Sequence, residues 1–107
     1  MIEVTINTEG EKLSLRLKGH AGYAEMGKDI VCASAAILAY TLAQFVYEAG
    51  AKGVMKMTQV RLDAGDTEIS CQPQYYDYEE TKKMYQFAKM GYSILAQNYP
   101  QYVRLRS

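Results

Sequence analysis

The sequence predicts a single α+β domain: an antiparallel sheet with two packed helices, in the order ββαββα with a short C-terminal strand. Three observations lead there. Two N-terminal segments alternate apolar and polar residues, a charge-free run follows Asp29, and a second helical pattern opens after Asp77. At 107 residues the chain has room for one modest core and not for two ordinary domains.

Taken in order, Ile2, Val4 and Ile6 share one face, with Glu3, Thr5 and Asn7 on the other. After a turn at Thr8, Glu9, Gly10 and Glu11, Leu13, Leu15 and Leu17 alternate with Ser14, Arg16 and Lys18. This is the pattern of an antiparallel hairpin with one buried face. Residues 19–28 break it, carry Gly19, Gly22 and Gly27, and predict a mobile loop. Asp29 stands where an N-cap belongs, and the helix it opens is expected to run from Ile30 to Ala49 before Gly50 and Gly53 stop it. No charged residue occurs from Ile30 to Tyr47, so burial on most sides is expected, in a core or a subunit interface. Its alanines, with Ser34, Thr41 and Gln44, argue against a membrane span.

Residues 54–62 predict a strand whose imperfect alternation allows a bulge. The Asp63-Ala64-Gly65-Asp66 turn leads to a strand over 67–72, with Ile69 and Cys71 pointing the same way. Asp77 and Glu80 have the spacing of a capping box. The helix beyond them should turn Met84, Phe87, Ala88, Gly91, Ile94 and Leu95 inward. Tyr78, Tyr85, Tyr92 and Tyr99 recur every seven residues, a stripe suited to packing or to a dimer surface. Pro100 ends this helix, and 102–105 predicts the last short strand.

Composition excludes several functions. Twelve basic and twelve acidic side chains cancel, which leaves no electrostatic ground for direct nucleic-acid or membrane binding. One histidine and two cysteines would all be consumed by a single metal site of the usual kind, so neither metal nor organic cofactor is expected. Two cysteines are too few for a disulfide scaffold, and the chain opens without a secretory signal. A reduced, cytoplasmic setting follows as the expectation.

A Cys-His enzyme needs only one of each residue. With Asp29 as N-cap, Cys32 falls in the first helical turn, where unpaired N–H groups and the helix dipole favour a thiolate. A small side chain at the start of a buried helix serves packing equally well, so position alone leaves both roles open. His20 ends the second strand twelve positions earlier and can face the helix start across the loop, as base for the thiol and acid for the leaving amine. Asp29 has two compatible roles, capping the helix or orienting His20. Cys71, in an alternating strand, reads as a core thiol.

The run Gly19-His20-Ala21, followed by Gly27-Lys28-Asp29-Ile30-Val31-Cys32-Ala33, resembles the signature of the ribosomal-processing cysteine proteases, the Prp family. The resemblance extends to the order of elements and to the Tyr99 to Leu105 ending. It implies a homodimeric cysteine endoprotease of Firmicutes and related bacteria. Such enzymes remove a short N-terminal extension from ribosomal large-subunit protein twenty-seven, cutting after aromatic residues; phage-associated relatives process capsid and scaffold proteins. It further implies that Cys32 is the nucleophile, His20 its histidine, and the loop with Gly22, Tyr23 and Gly27 the gate of the substrate cleft. Ala36 departs from the pattern, since the family commonly has serine or threonine there. The contrasting reading is a catalytically silent dimeric protein-interaction domain.

Overall fold

The computed structural model describes residues 1–106, and its elements follow the expected order. They are β1 (Ile2–Asn7), β2 (Leu13–Lys18), α1 (Ile30–Ala51), β3 (Met55–Asp63), β4 (Asp66–Pro73), a 3-10 turn (Tyr75–Asp77), α2 (Tyr78–Asn98) and β5 (Val103–Arg106). The five strands form one sheet in the order β3-β4-β2-β1-β5. Four pair antiparallel; β5 adds to β1 in parallel, so the sheet is mixed at that edge.

Alternation decides which face meets the helices. Ile2, Val4, Ile6, Leu13, Leu15, Leu17, Ile69, Cys71 and Val103 are buried together with one side of each helix. On the opposite face the polar residues pair across strands, Arg16 with Glu68, Lys18 with Asp66 and Arg104 with Glu3. The result is two layers, with a core between sheet and helices and a solvated outer sheet face.

The helices depart from expectation in instructive ways. α1 does not stop at Gly50: it continues to Ala51, with Lys52 as C-cap and Gly53 in the left-handed region at φ +78°. Nor is it buried on most sides. Val31, Ala35, Ala39, Leu42, Ala43, Val46 and Ala49 face the sheet, while Ile30, Ile37, Tyr40 and Tyr47 are exposed. A two-layer fold covers a helix from one side only, so lack of charge did not mean full burial here. By length and composition α1 could cross a membrane; in this structure it packs as the core helix over the sheet.

On α2 the buried stripe is Thr81, Tyr85, Ala88, Tyr92 and Leu95, with Phe87 and Ile94 exposed instead of inward. Two tyrosines reach full burial because their hydroxyls are satisfied. Tyr92 donates to the Ala35 carbonyl at 2.9 Å, and Tyr85 donates to the Ile69 carbonyl at 3.0 Å. Burial pushes both phenols far above the ordinary tyrosine value. Asp77 is the N-cap residue, but the capping box does not form, and its side chain caps no backbone N–H. The preceding 3-10 turn leaves Asp77 at ψ 3°, and its carboxylate accepts from the Thr81 hydroxyl instead. The expected bulge in β3 lies between Met55 and Met57.

Candidate active site

The site gathers where β2 ends, α1 begins and the β3–β4 turn closes. Asp29 organises it. Its Oδ1 accepts from the N–H groups of Val31 at 3.0 Å and Cys32 at 2.9 Å, which caps α1. Its Oδ2 accepts from the loop N–H groups of Tyr23 at 3.0 Å and Ala24 at 3.3 Å. One carboxylate therefore ties the loop to the helix start. Partial desolvation disfavours the charged carboxylate and pushes its pKa up, but the four N–H donors outweigh this and hold the carboxyl below the ordinary aspartate value. Of its two expected roles, capping is the one the hydrogen bonds display.

Cys32 is partly exposed in the first turn of α1. Its own N–H is committed to Asp29, so it is not free to hold an oxyanion. The donor that meets its sulfur is the N–H of Ala21, at 3.3 Å. That N–H belongs to the peptide unit that joins His20 to Ala21. The carbonyl of the same unit accepts from Met1 N at 2.6 Å, so the peptide is clamped at both ends.

His20 is exposed, and its ring lies on the β3–β4 turn. A Cβ placed on Gly65 would come within 2.6 Å of His20 Nε2, so the imidazole occupies the space a side chain there would need. Gly65 also adopts φ +70°, and its carbonyl accepts from Gly19 N–H at 2.9 Å. Among the described residues no hydrogen bond joins His20 to Cys32. Their backbones meet through the Ala21 contact, and the ring rests on the turn. Gly65 was missed as a site residue by sequence reasoning, because only the strand register brings this turn to the end of β2, with Lys18 opposite Asp66.

The loop is held at a second point. Tyr23 packs edge-on against Tyr99 and Tyr102, with ring centroids 5.6 and 5.1 Å away. Gly22 and Gly27, at φ +70° and +88°, are the points where the loop bends. Ser34 donates to the Ile30 carbonyl at 2.6 Å, so its hydroxyl is spent on the helix and does not stand in for the one absent at Ala36. Cys71 is buried, its thiol pushed up by desolvation, and it contacts the Tyr85 hydroxyl.

The family model described as cysteine protease Prp matches residues 1–104. The chain belongs to that family. It is thus a cysteine protease, and a Prp fold spans nearly its full length. An essential ribosomal processing protease Prp from S. aureus, solved with a covalently linked product peptide, superposes with a TM-score of 0.74 at 22% identity, covering 99% of this chain and 98% of that one. SMU.848 from Streptococcus mutans gives 0.66 at 27% identity, covering 99% and 92%. The S. aureus Prp with a substrate peptide gives 0.64 at 20% identity, covering 98% and 95%. At such identities the S. aureus likenesses speak to the fold. No curated protein sequence matches the chain significantly.

Proposed function

We propose that Cys32 and His20 form the catalytic dyad of this Prp-family protease. The further reading is that the enzyme removes the short N-terminal extension of ribosomal large-subunit protein twenty-seven, or a similar motif on a phage capsid or scaffold protein, cutting after aromatic residues. The observation that carries the dyad is the Ala21 N–H on Cys32 Sγ, which sets the peptide unit following His20 directly against the sulfur. That the S. aureus neighbour is a ribosomal processing protease supports the substrate.

In this mechanism His20, its ring seated on Gly65, takes the proton of Cys32. The sulfur attacks the scissile carbonyl carbon and forms a tetrahedral adduct. With the Cys32 N–H engaged by Asp29, the mechanism assigns the developing oxyanion to the Ala21 N–H, which meets the sulfur in the resting site. The adduct collapses to an acyl-enzyme as His20 gives its proton to the departing amine. His20 then deprotonates a water that hydrolyses the thioester, and the thiol is restored. Two free cysteines are consistent with a reduced, cytoplasmic setting. A homodimer is part of the proposal, supported by the outer apolar face on which Ile37 and Tyr40 of α1 and Phe87, Met90 and Ile94 of α2 are exposed.

The experiment uses a peptide copying the ribosomal extension and one copying the phage motif, with reductant present. Cleavage of either that is lost in Cys32→Ser and His20→Ala, and kept in Cys71→Ser, is the expected result. Folded wild-type protein that cuts neither peptide would sink the reading.

A further inference from the structure

The two borders of the sheet differ. β5 has four residues, and its Arg104 and Arg106 pair with Glu3. Short and charged, it has the features that discourage a further strand. β3 has nine residues, and its bulge is confined to the end near Met55. From Thr58 to Asp63 it pairs with β4 without interruption.

The register says which groups remain free. Asp63 pairs with Asp66 across a two-residue turn, so Gln59, Arg61 and Asp63 turn their backbone groups to β4. Thr58, Val60 and Leu62 turn theirs to solvent. The side chains of these three lie on the helix side, opposite Cys71, Ile69 and Thr67. α1 approaches Thr58 at Gly50 but leaves Val60 and Leu62 open, 42% and 43% exposed. Between β3 and the last turns of α1 lies an open groove of about 380 Å³, lined by Tyr47, Gly50, Met55, Thr58 and Val60. At its other end β3 reaches the turn on which the His20 ring rests.

We propose that the free edge of β3 is the substrate-binding edge. An extended segment of the polypeptide substrate adds there as a sixth strand, bonding to the outward groups of Thr58, Val60 and Leu62. Alternate side chains of that segment enter the groove beside Tyr47 and Val60, and its scissile bond lies at the His20 end. Backbone pairing supplies affinity for any extended peptide, and the groove selects apolar residues at every second position. The proposal rests on the dyad reading above. A peptide suits this edge better than a second copy, because the edge runs into the site while the outer helix face is directed elsewhere.

The test is amide exchange by NMR on the Cys32→Ala variant, with the ribosomal-extension peptide added to saturation as judged by calorimetry. Exchange at Thr58, Val60 and Leu62 should slow about tenfold or more, with little change at Gln59 and Arg61, which are already paired. Unchanged exchange at the three outward amides overturns the proposal. Protection in the free protein that grows with its own concentration does so too, since a second copy would then hold the edge. In active enzyme, Val60→Glu should raise KM for the peptide at least about tenfold, with kcat within about twofold and the alkylation rate of Cys32 unchanged; an unchanged KM counts against the proposal. Cleavage that survives Cys32→Ala speaks against the dyad alone, because the exchange pattern reports where the peptide lies whatever cuts it.

Discussion

Replacing Gly65 with alanine tests whether the β3–β4 turn positions His20 for the proposed dyad. Two effects combine at this position. The residue sits at φ +70°, where a Cβ costs about 1–2 kcal/mol. The Cβ would also stand 2.6 Å from His20 Nε2, roughly 1 Å inside ordinary van der Waals contact, so the ring must move by about that much. A displacement of about 1 Å at a reacting group can cost on the order of a hundredfold in rate. Gly53→Ala separates the two effects. Gly53 has φ +78°, yet nothing lies within 4 Å of its would-be Cβ, and it sits at the far end of α1. Both variants should therefore lose about 1–2 kcal/mol in urea denaturation, whereas only Gly65→Ala should lose about a hundredfold in kcat/KM for peptide cleavage. Wild-type cleavage by Gly65→Ala would refute the positioning argument. An equal loss in Gly53→Ala would do the same, because stability alone would then explain the effect.

Other outcomes follow from the same contacts. Tyr92→Phe removes the hydroxyl that donates to Ala35 and should cost about 1 kcal/mol in chemical denaturation, since the neighbouring carbonyl keeps its helical bond. Asp29→Ala loses both the cap and the loop tether; stability should fall by about 0.5–2 kcal/mol, and amide exchange at Tyr23 and Ala24 should accelerate. Asp29 is held below its ordinary value by backbone donors, and Asp66 by hydrogen bonds from Lys18 and Arg61. A lowered folded-state value means that the stability each contributes is complete above the unfolded value of about 4 and is lost as pH falls through the folded one. The Asp29→Asn, Asp66→Asn double variant should accordingly show a flatter acid limb in a stability–pH curve. Iodoacetamide at neutral pH should label Cys32 in the native protein and leave Cys71 unmodified until denaturant is added, as read by peptide mass mapping.

Local chemistry made much of this structure legible, and tertiary geometry concealed the rest. Alternation in 2–6 and 13–17 is enough to place six core residues, because a strand has only two faces. Asp29 as N-cap was equally plain, since the cap depends on four consecutive residues, 29–32. The stripe on α2 was harder. Apolar residues occupy two bands of that helix, and Phe87 and Ile94 looked more suitable for a core than tyrosine. The core receives the tyrosine band because Ala35 of α1 and Ile69 of β4 present carbonyls where the hydroxyls of Tyr92 and Tyr85 arrive. No periodicity in α2 reports those partners. The contact of His20 with Gly65 spans 45 positions and exists only through the pairing of β2 with β4.

Asp29 raises an electrostatic question that the hydrogen bonds answer. An ionised carboxylate in the first turn opposes a thiolate at Cys32, and the usual remedy would be the unpaired N–H groups of the helix start. Here two of those groups, on Val31 and Cys32, already serve the carboxylate. The direct polar contact to the sulfur comes instead from Ala21, at the boundary between β2 and the loop. Asp29 also grips Tyr23 and Ala24, only two and three residues farther on. The loop is consequently more than a cover over the site. The carboxylate that orders its backbone also caps the helix that carries Cys32, and the same short stretch of chain supplies the donor on the sulfur. Any motion that admits substrate by lifting residues 23 and 24 has to break the Asp29 contacts while leaving Ala21 in place. The clamp on the His20–Ala21 peptide, with Met1 on one side and Cys32 on the other, allows that division of labour.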